Sequence, residues 1–207
     1  PLKTYTNIHE GNALRMDWNE VFPCLPERSE GSYIMGNPPF IGASMMTAEQ
    51  KNEAVAIFGK GSRVNSIDYV GAWYYKAASM IQGTSARVAF VSTNSITQGE
   101  QVAPFWTPLL DNYHVHIDFA YRTFIWNSEA SDKAHVHCVI IGFSVSHSEQ
   151  QRRIYDENQV QEVSNINPYL IDAPNAIIGT RSKPICNVPT ISYGNKPSDG
   201  GNLILSE

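Results

Sequence analysis

The sequence has few cysteines and no long apolar run, and both absences narrow the classes of protein it can belong to. The three cysteines, Cys24, Cys138 and Cys186, are odd in number, far apart and outside any C-x-x-C pair. They predict neither a disulfide framework nor a thiolate zinc site, and a reducing cytoplasm fits them best. No apolar run approaches the ~18–20 residues that a membrane span requires, so we expect no membrane partner.

An excess of positive charge is also lacking. Only 17% of the 207 residues are charged, and the formal net charge is −5. This excludes a global attraction to phosphate, so any contact with nucleic acid must come from a local surface. The length predicts one domain, or one domain and part of another, and the first residues lack both an apolar signal core and a start Met. We therefore expect a piece of a larger protein.

Short apolar runs alternate with helical patterns from Tyr5 to Phe143, which is typical of an α/β sheet with helices on its faces. The predicted strands are Tyr5–His9, Tyr33–Met35, Val88–Ser92, Val115–Phe119 and Val136–Phe143. The predicted helices are Ile67–Gln82, which carries one apolar stripe, and Gly99–Leu110, which contains two prolines. The last two strands have no helix pattern between them, so we expect them to pair antiparallel in an otherwise parallel sheet.

The composition changes after Phe143, and this change predicts a domain boundary. Residues 144–151 are polar, as in a linker, and prolines and glycines mix with short apolar pieces from Asn165 onward. That texture is typical of an irregular or β-rich module. We therefore divide the chain into an α/β part at 1–148 and a second module at 149–207, which we expect to be truncated.

The segment from Tyr33 to Phe40 is the most informative in the chain. A short apolar strand runs directly into G-N-P-P-F, at the place where open α/β sheets bind ligands. Two consecutive prolines fix φ and remove two N–H donors, so the turn presents acceptors. The side-chain oxygen of Asn37 and the carbonyl of Pro38 could each accept a hydrogen from a planar amino group, with the ring of Phe40 stacked on the attached heterocycle. The alternative is a rigid turn with Phe40 in the core.

This string resembles motif IV of the amino-group (N6-adenine) DNA methyltransferases, which related RNA and protein-glutamine enzymes share. The resemblance implies a Rossmann-like class I fold and a catalytic element formed by Asn37, Pro38, Pro39 and Phe40. It also implies that Asn12, in H-E-G-N-A-L, contacts S-adenosylmethionine together with Gly36 and Asn37. Asn12 stands where an Asp is more usual in the family.

Longer tracts are similar to the MmeI-like bacterial restriction-modification proteins. These tracts begin at Asp68 and continue through T-N-S-I-T-Q-G-E-Q-V, I-N-P-Y-L and K-P-S-D-G-G-N-L. The likeness implies double-stranded DNA as partner, an adenine flipped out of the duplex, and a target recognition module after the methyltransferase part. The family's glycine-rich cofactor loop is not present, so we expect the upstream remainder of the polypeptide to complete the cofactor site. We also expect an exposed sheet edge to favour self-association.

Some assignments remain open at this point. In the resembling family the connection from Tyr121 to Ala130 lies beside the flipped base, so Phe124 or Trp126 could form a pocket wall, and ordinary packing is equally compatible. Two pairs of histidines have the spacing that places both imidazoles on one face of a strand: His114 with His116, and His135 with His137. An antiparallel hairpin would put the two pairs near opposite ends, so we expect no metal site. The alternatives to a DNA methyltransferase are a non-catalytic nucleic-acid recognition module and an enzyme acting on RNA or protein glutamine.

Overall fold

The computed structural model describes residues 8–22, 31–59, 64–126, 136–146, 151–157, 159–179, 181 and 183–189. Its helices are α1 (Trp18–Val21), α2 (Ala48–Phe58), α3 (Gly71–Met80) and α4 (Val102–Asp111). Its strands are β1 (Tyr33–Gly36), β2 (Arg87–Thr93), β3 (His116–Trp126), β4 (Val136–Ser144), β5 (Arg152–Asp156) and β6 (Gln159–Val163). Short 3₁₀ turns lie at Ala43–Met45, Val64–Ser66, Asn94–Thr97 and Gly99–Gln101.

The strands described here form one mixed sheet in the order β1-β2-β4-β3-β5-β6. β1 and β2 are parallel, whereas β4 is antiparallel to both of its neighbours, β2 and β3. The predicted α/β class and the antiparallel pairing of β3 with β4 are confirmed, but β4 is not the last strand, because β5 and β6 follow it and β6 is also antiparallel to its neighbour β5. The reason is topological, because β4 follows β3 without a crossover helix and must therefore return in the opposite direction.

The hydrophobic core is built from α3, α4 and alternate residues of the central strands. In β2 every second residue is buried, which places Phe90 and Ser92 on the core face. Tyr74 of α3 lies at the centre, with its ring 5.3 Å from Phe90 and 5.4 Å from Phe143, measured between centroids. The predicted apolar stripe of this helix is therefore confirmed as a core face.

Helix α3 is shorter than the predicted Ile67–Gln82 and begins at Gly71. A Cβ atom at Gly71 would lie 2.8 Å from a methyl carbon of Ile67 and 3.2 Å from the ring of Phe105. That spacing is too close for a side chain, so glycine allows the start of α3 to pack directly against α4. Asp68 and Tyr69, which precede α3, make contacts with other loops.

Helix α2 begins with a capping box, and helix α4 contains an internal proline. Thr47 and Gln50 form a capping box at the start of α2, with Thr47 Oγ1 accepting from Gln50 N at 3.2 Å and Gln50 Oε1 accepting from Thr47 N at 2.9 Å. The predicted helix Gly99–Leu110 is a 3₁₀ turn followed by α4. Pro108 lies inside α4 and has no N–H to donate within the helix. In the preceding turn of the same helix, the carbonyl of Phe105 accepts a hydrogen bond from the Tyr75 hydroxyl at 2.8 Å.

The sheet continues past the predicted domain boundary at residue 148. β5 pairs parallel with β3, and β6 pairs antiparallel with β5. Beyond β6, Ile166 and Leu170 are buried in the same core as α3 and β2. The division into two domains therefore remains a prediction, and residues up to about 170 pack with the α/β part.

Two further expectations concern the ends of the chain. Most of the predicted strand Tyr5–His9 lies outside the described residues, and Ile8 to Glu10 have no regular structure. After β6, the residues described up to 189 form turns and irregular segments without a further strand. Across the described ranges, no helix is both long and apolar enough to cross a membrane.

Candidate active site

The G-N-P-P-F corner leaves the sheet at the carboxyl end of β1. Gly36 is the last residue of β1 and pairs with Phe90 of the parallel strand β2. Pro38 is buried and anchors the corner, whereas Asn37 and Pro39 are exposed. The corner therefore presents the Asn37 side chain outward at the edge of the sheet where α/β proteins bind ligands.

A cleft of about 770 Å³ lies beside this corner. The predicted residues Asn12, Gly36, Asn37, Pro38 and Pro39 all line it. Its other walls are largely apolar and aromatic, and are formed by His9, Gly11, Ala13, Met16, Trp18, Val21, Phe22, Ile34, Met35, Gln50, Tyr69, Trp73 and Phe90. The structure thus brings together two sequence segments, near residues 12 and 37, that were predicted to share one site.

Asn37 and Phe40 differ in their relation to the cleft. Within the described part of the chain, no side-chain hydrogen bond occupies the Asn37 amide, so its oxygen is available to a ligand. Phe40 is half-buried and is not among the described residues that line the cleft. Its predicted stacking role therefore stays a prediction.

The Asn12 carboxamide is held by protein contacts on both of its ends. Its oxygen accepts from Leu14 N at 2.9 Å, and its nitrogen donates to Glu53 Oε1 of α2 at 2.9 Å. Arg15 and the Tyr69 hydroxyl also donate to the Glu53 carboxylate. The Asn12 side chain also contacts the Tyr69 hydroxyl, so its amide is held in place by groups of the protein.

Ionisation within this network is shifted by the shared contacts. The hydrogen bond from Tyr69 lowers the pKa of Glu53, against the opposing effect of burial. Burial and the Glu53 carboxylate raise the pKa of Tyr69 to about 12. At neutral pH the network is therefore an ionised Glu53 held by neutral Tyr69 and cationic Arg15, and Tyr69 serves as a wall of the cleft and not as a base.

Lys76 fastens the segment that carries Asn12 to helix α3. Its Nζ donates to the carbonyl oxygens of Leu14 at 2.8 Å and Met16 at 2.5 Å, and lies 5.4 Å from the centre of the Trp18 ring. Burial lowers the pKa of Lys76, with the Asp17 carboxylate acting in the opposite direction. This lysine therefore works as a structural cation that holds one wall of the cleft.

The structure places the predicted target-base residues at the same edge of the sheet as the corner. β3 runs parallel to β1 and β2, and Phe124 lies in one register row with Cys138 and Thr93. The Phe124 ring makes an edge contact with Tyr121 at 5.4 Å between centroids. Trp126 is the last residue of β3, and its side chain lies outside the described part. Neither residue lines the cleft as described, so their pocket role remains a prediction.

The histidine pairs do not converge. His116 pairs with Ser144 at one end of the β3–β4 hairpin, and His137 pairs with Ile125 at the other end, as the predicted antiparallel pairing requires. His135 lies outside the described residues. Within the described ranges, no group of three or more His, Cys, Asp or Glu side chains is placed to hold a metal ion.

Several site residues were missed at the level of sequence. Tyr69 and Trp73 line the cleft, although the helical pattern placed Trp73 in the core stripe. Gln50 also lines it, and the T-x-x-Q capping box at Thr47 is a sequence signal that could have located α2 there. The polar cluster around Asp68, which lies beside the corner, carries no comparable signal.

Comparison with known proteins identifies relatives of the whole chain. Residues 1–156 match the family model described as MmeI, DNA-methyltransferase domain. The chain is 40% identical over 206 residues to DNA methyltransferase A of Bacillus subtilis (strain 168), which covers 100% of this chain and 23% of that protein. It also matches the Type IIL restriction-modification enzyme MmeI, solved in complex with DNA, with a TM-score of 0.86 and 45% identity over 98% of this chain and 27% of that chain.

The chain thus spans about a quarter of the length of these relatives. The resemblance inferred from the corner and the later motifs is confirmed, and so is the α/β fold class. Because the family model covers well over half of its residues, the chain belongs to the MmeI DNA-methyltransferase domain family.

Proposed function

We propose that this chain carries the catalytic corner of an S-adenosylmethionine-dependent DNA methyltransferase that modifies the N6 amino group of adenine within a restriction-modification protein. The observation that supports this most directly is the shared cleft. Asn37 and Pro38 line it beside Asn12 and the aromatic residues Tyr69, Trp73 and Phe90. A rigid acceptor corner next to an aromatic nucleoside-sized cleft suits amino-group transfer better than a purely structural turn does.

The cleft fits the adenosyl part of S-adenosylmethionine by size and chemistry. Its volume of about 770 Å³ lies within the range of small-molecule sites, and its walls are mainly apolar with a few polar groups. We assign Asn12, Gly36 and Asn37 to the cofactor. Bound S-adenosylmethionine would supply an electrophilic methyl group.

The corner itself would orient the nucleophile. The Asn37 oxygen and the Pro38 carbonyl each accept one hydrogen of the target amine, which favours a tetrahedral nitrogen whose lone pair points away from the ring. Pro38 and Pro39 keep the acceptors fixed and free of competing N–H groups. Positioning then supplies most of the rate enhancement, and no general base is needed before the new bond forms.

Double-stranded DNA is the proposed partner. An exocyclic amine inside a base stack cannot reach a buried methyl donor, so the adenine must be flipped out at a cost of a few kcal/mol. Phe40, Phe124 and Trp126 are the proposed aromatic contacts of the flipped base. The relative solved in complex with DNA supports this choice of partner over RNA or protein.

We place the complete protein in the cytoplasm, with an upstream part of the polypeptide completing the cofactor site. The free, buried thiol of Cys138 suits a reducing compartment. A non-catalytic recognition module is the less favoured alternative, since such a module would have no need for an unoccupied Asn37 amide directed into a cleft.

The test is methyl transfer by the full-length protein from labelled S-adenosylmethionine to plasmid DNA, followed by nucleoside analysis. We expect label in N6-methyladenine. Asn37→Ala should lower the rate by about 100-fold or more, by analogy with loss of one transition-state hydrogen bond. Asn112→Ala is the matched control, because Asn112 is an exposed asparagine after α4, remote from the corner in sequence. Retained activity in Asn37→Ala, or label on a different nucleoside, would overturn the assignment.

A further inference from the structure

The carboxylate of Asp68 is buried in a cluster of neutral hydrogen-bond donors. The residue is only 7% exposed. Its Oδ1 accepts from Ala43 N at 3.1 Å and from Gln101 Nε2 at 3.0 Å. Its Oδ2 accepts from Thr93 Oγ1 at 3.2 Å and from Ser95 Oγ at 2.5 Å. Both oxygens are therefore engaged, and they are engaged by groups from different parts of the fold.

These contacts join the residues after the corner to the end of the neighbouring strand. Ala43 begins the 3₁₀ turn that follows Phe40, whereas Thr93 and Ser95 lie where β2 ends. Next to Asp68, the backbone N–H of Tyr69 donates to the Ile41 carbonyl at 2.9 Å. Residues 41–43 are thus held at two points by the dipeptide 68–69.

Gln101 locks this arrangement from the side of α4. Its side-chain nitrogen donates to Asp68 Oδ1, and its side-chain oxygen accepts from Asp68 N at 3.0 Å. The reciprocal pair fixes the Asp68 backbone and carboxylate together, so rotation of the carboxylate away from Ala43 would also break its hydrogen bond from Gln101 Nε2. A buried carboxylate with this many donors is costly to disturb, because each lost contact leaves an unsatisfied polar group.

The placement of the corner depends on its two ends. Pro38 and Pro39 stiffen the corner internally. The orientation of a stiff segment, however, is set by the elements that hold its two ends. β1 holds the first end, through pairing of Gly36 with Phe90, and the contacts of Asp68 and Tyr69 hold the second end. A small shift of the second end would move the Asn37 oxygen relative to the cleft.

We infer that Asp68 is a positioning residue for methyl transfer, which acts through the backbone of residues 41–43 to aim the Asn37–Pro38 acceptors. This inference rests on the proposed function. The role requires an acceptor at Oδ1 and not a negative charge. Asparagine can meet the same need, with its oxygen toward Ala43 and Gln101 and its amide nitrogen toward the hydroxyls of Thr93 and Ser95, which can accept as well as donate.

The test compares Asp68→Ala and Asp68→Asn in the full-length protein, with kcat and both KM values measured. Asp68→Ala should lower kcat by about 10- to 100-fold, because small misplacement of reacting groups has effects of that size. The KM for S-adenosylmethionine should change little, since the walls of the cleft remain. Asp68→Asn should restore most of the lost kcat. A wild-type protein without any methyl transfer would defeat the proposed function, whereas an unchanged kcat in Asp68→Ala would defeat only this inference.

Tyr74→Phe is the control for a general loss of stability. It removes a buried hydrogen bond, from Tyr74 to Ser92 Oγ, that does not touch residues 41–43. It should lower the melting temperature and leave kcat unchanged. An equal loss of kcat in Tyr74→Phe and Asp68→Ala would overturn the positioning role.

Ala43→Pro tests the same contact from the other side if Asp68→Ala fails to fold. Ala43 is the first residue of its 3₁₀ turn and follows Gly42 in an extended conformation, so the backbone there accepts proline. The substitution removes the N–H that Asp68 accepts. A lower kcat with little change in KM supports the inference, and wild-type kinetics in this variant contradict it.

Discussion

Asn12 and Asn37 line the same cleft, yet their surroundings prepare them for different work. The Asn12 carboxamide is engaged on both ends, by Leu14 N and by Glu53. The Asn37 amide is exposed at the end of β1 beside a buried proline. A carboxamide engaged by protein contacts is held in place, whereas one that has no side-chain partner among the described residues offers its oxygen to a ligand. At the scale of the residue, the catalytic proposal therefore depends on Asn37.

Phe40 gives a graded test of the corner. Phe40→Ala should lower the rate of methyl transfer by about 10-fold, because stacking of a base on an aromatic ring contributes about 1–3 kcal/mol. Phe40→Tyr should preserve the rate, since the ring remains. Single-turnover kinetics on a DNA substrate would measure both. An unchanged rate in Phe40→Ala would remove this residue from the target-base pocket.

Asp118 provides a prediction on stability and pH. Burial raises its pKa, against the opposing effects of Ser144, Arg87, Arg152 and His116, and its Oδ2 is buried with no hydrogen-bond partner among the residues that the structure describes. Because the folded state favours the protonated form, this residue lowers stability as the pH rises from the ordinary carboxyl range through the raised pKa.

Asp118→Asn should therefore raise the melting temperature at pH 7, and the gain should shrink as the pH falls toward 4. Thermal unfolding monitored by circular dichroism at several pH values would measure this difference. Glu157→Gln, at an exposed turn between β5 and β6, is a control that should show no such trend. A gain that is independent of pH would contradict the explanation.

At the scale of the element, helix α3 connects the core to both walls of the site. Its buried face places Tyr74 among the rings of Phe90 and Phe143. Lys76 on the same helix holds the carbonyls of Leu14 and Met16. The residues just before it secure the segment after the corner. Packing of one helix therefore determines the relative positions of two loops that are far apart in sequence.

The Tyr74–Ser92 pair offers a double-mutant cycle on this helix. The hydroxyl of Tyr74 and Ser92 Oγ lie 2.7 Å apart in the core. Tyr74→Phe should cost about 1–3 kcal/mol of unfolding free energy, because it leaves a buried hydroxyl unsatisfied. The double variant with both Tyr74→Phe and Ser92→Ala should lose much less unfolding free energy than the sum of the losses in the two single variants. Urea unfolding would measure the cycle, and additive effects would show that the pair is not coupled.

At the scale of the whole molecule, β1 and β6 are the outer strands of the described sheet, and both carry exposed apolar side chains. β1 is the first strand in the order of the described sheet, and Tyr33 and Met35 are 65% and 78% exposed. An unpaired parallel edge with apolar side chains is a template for further strand pairing.

This edge predicts that the 207-residue chain produced alone self-associates. Met35→Lys places a charge on the exposed edge and should shift the chain toward monomer, because charged edge residues block pairing. Lys51, on α2, offers the control Lys51→Met, which adds an apolar residue away from β1 and should leave self-association unchanged. Light scattering coupled to gel filtration would measure both. A wild-type chain that is monomeric at high concentration would contradict the prediction.

Local patterns were sufficient to predict the G-N-P-P-F corner and much of the sheet. The prolines at 38 and 39 act within a few residues, and the missing helix before β4 dictates its antiparallel direction. Each of these depends on neighbours along the chain, so the sequence carries it directly. The exact ends of the helices were harder to predict from the sequence, because the start of α3 at Gly71 depends on its close packing against Phe105.

The tertiary structure alone decided which distant residues meet. Asp68 binds Ala43, Thr93 and Gln101, which are separated from it by 25, 25 and 33 positions. β5 and β6 join the catalytic sheet although the composition before them predicts a linker. Spacing along the chain cannot encode such contacts, because they follow from how helices and strands pack after each has formed. The amino-acid sequence determined the chemistry of the corner, and packing determined what holds it in place.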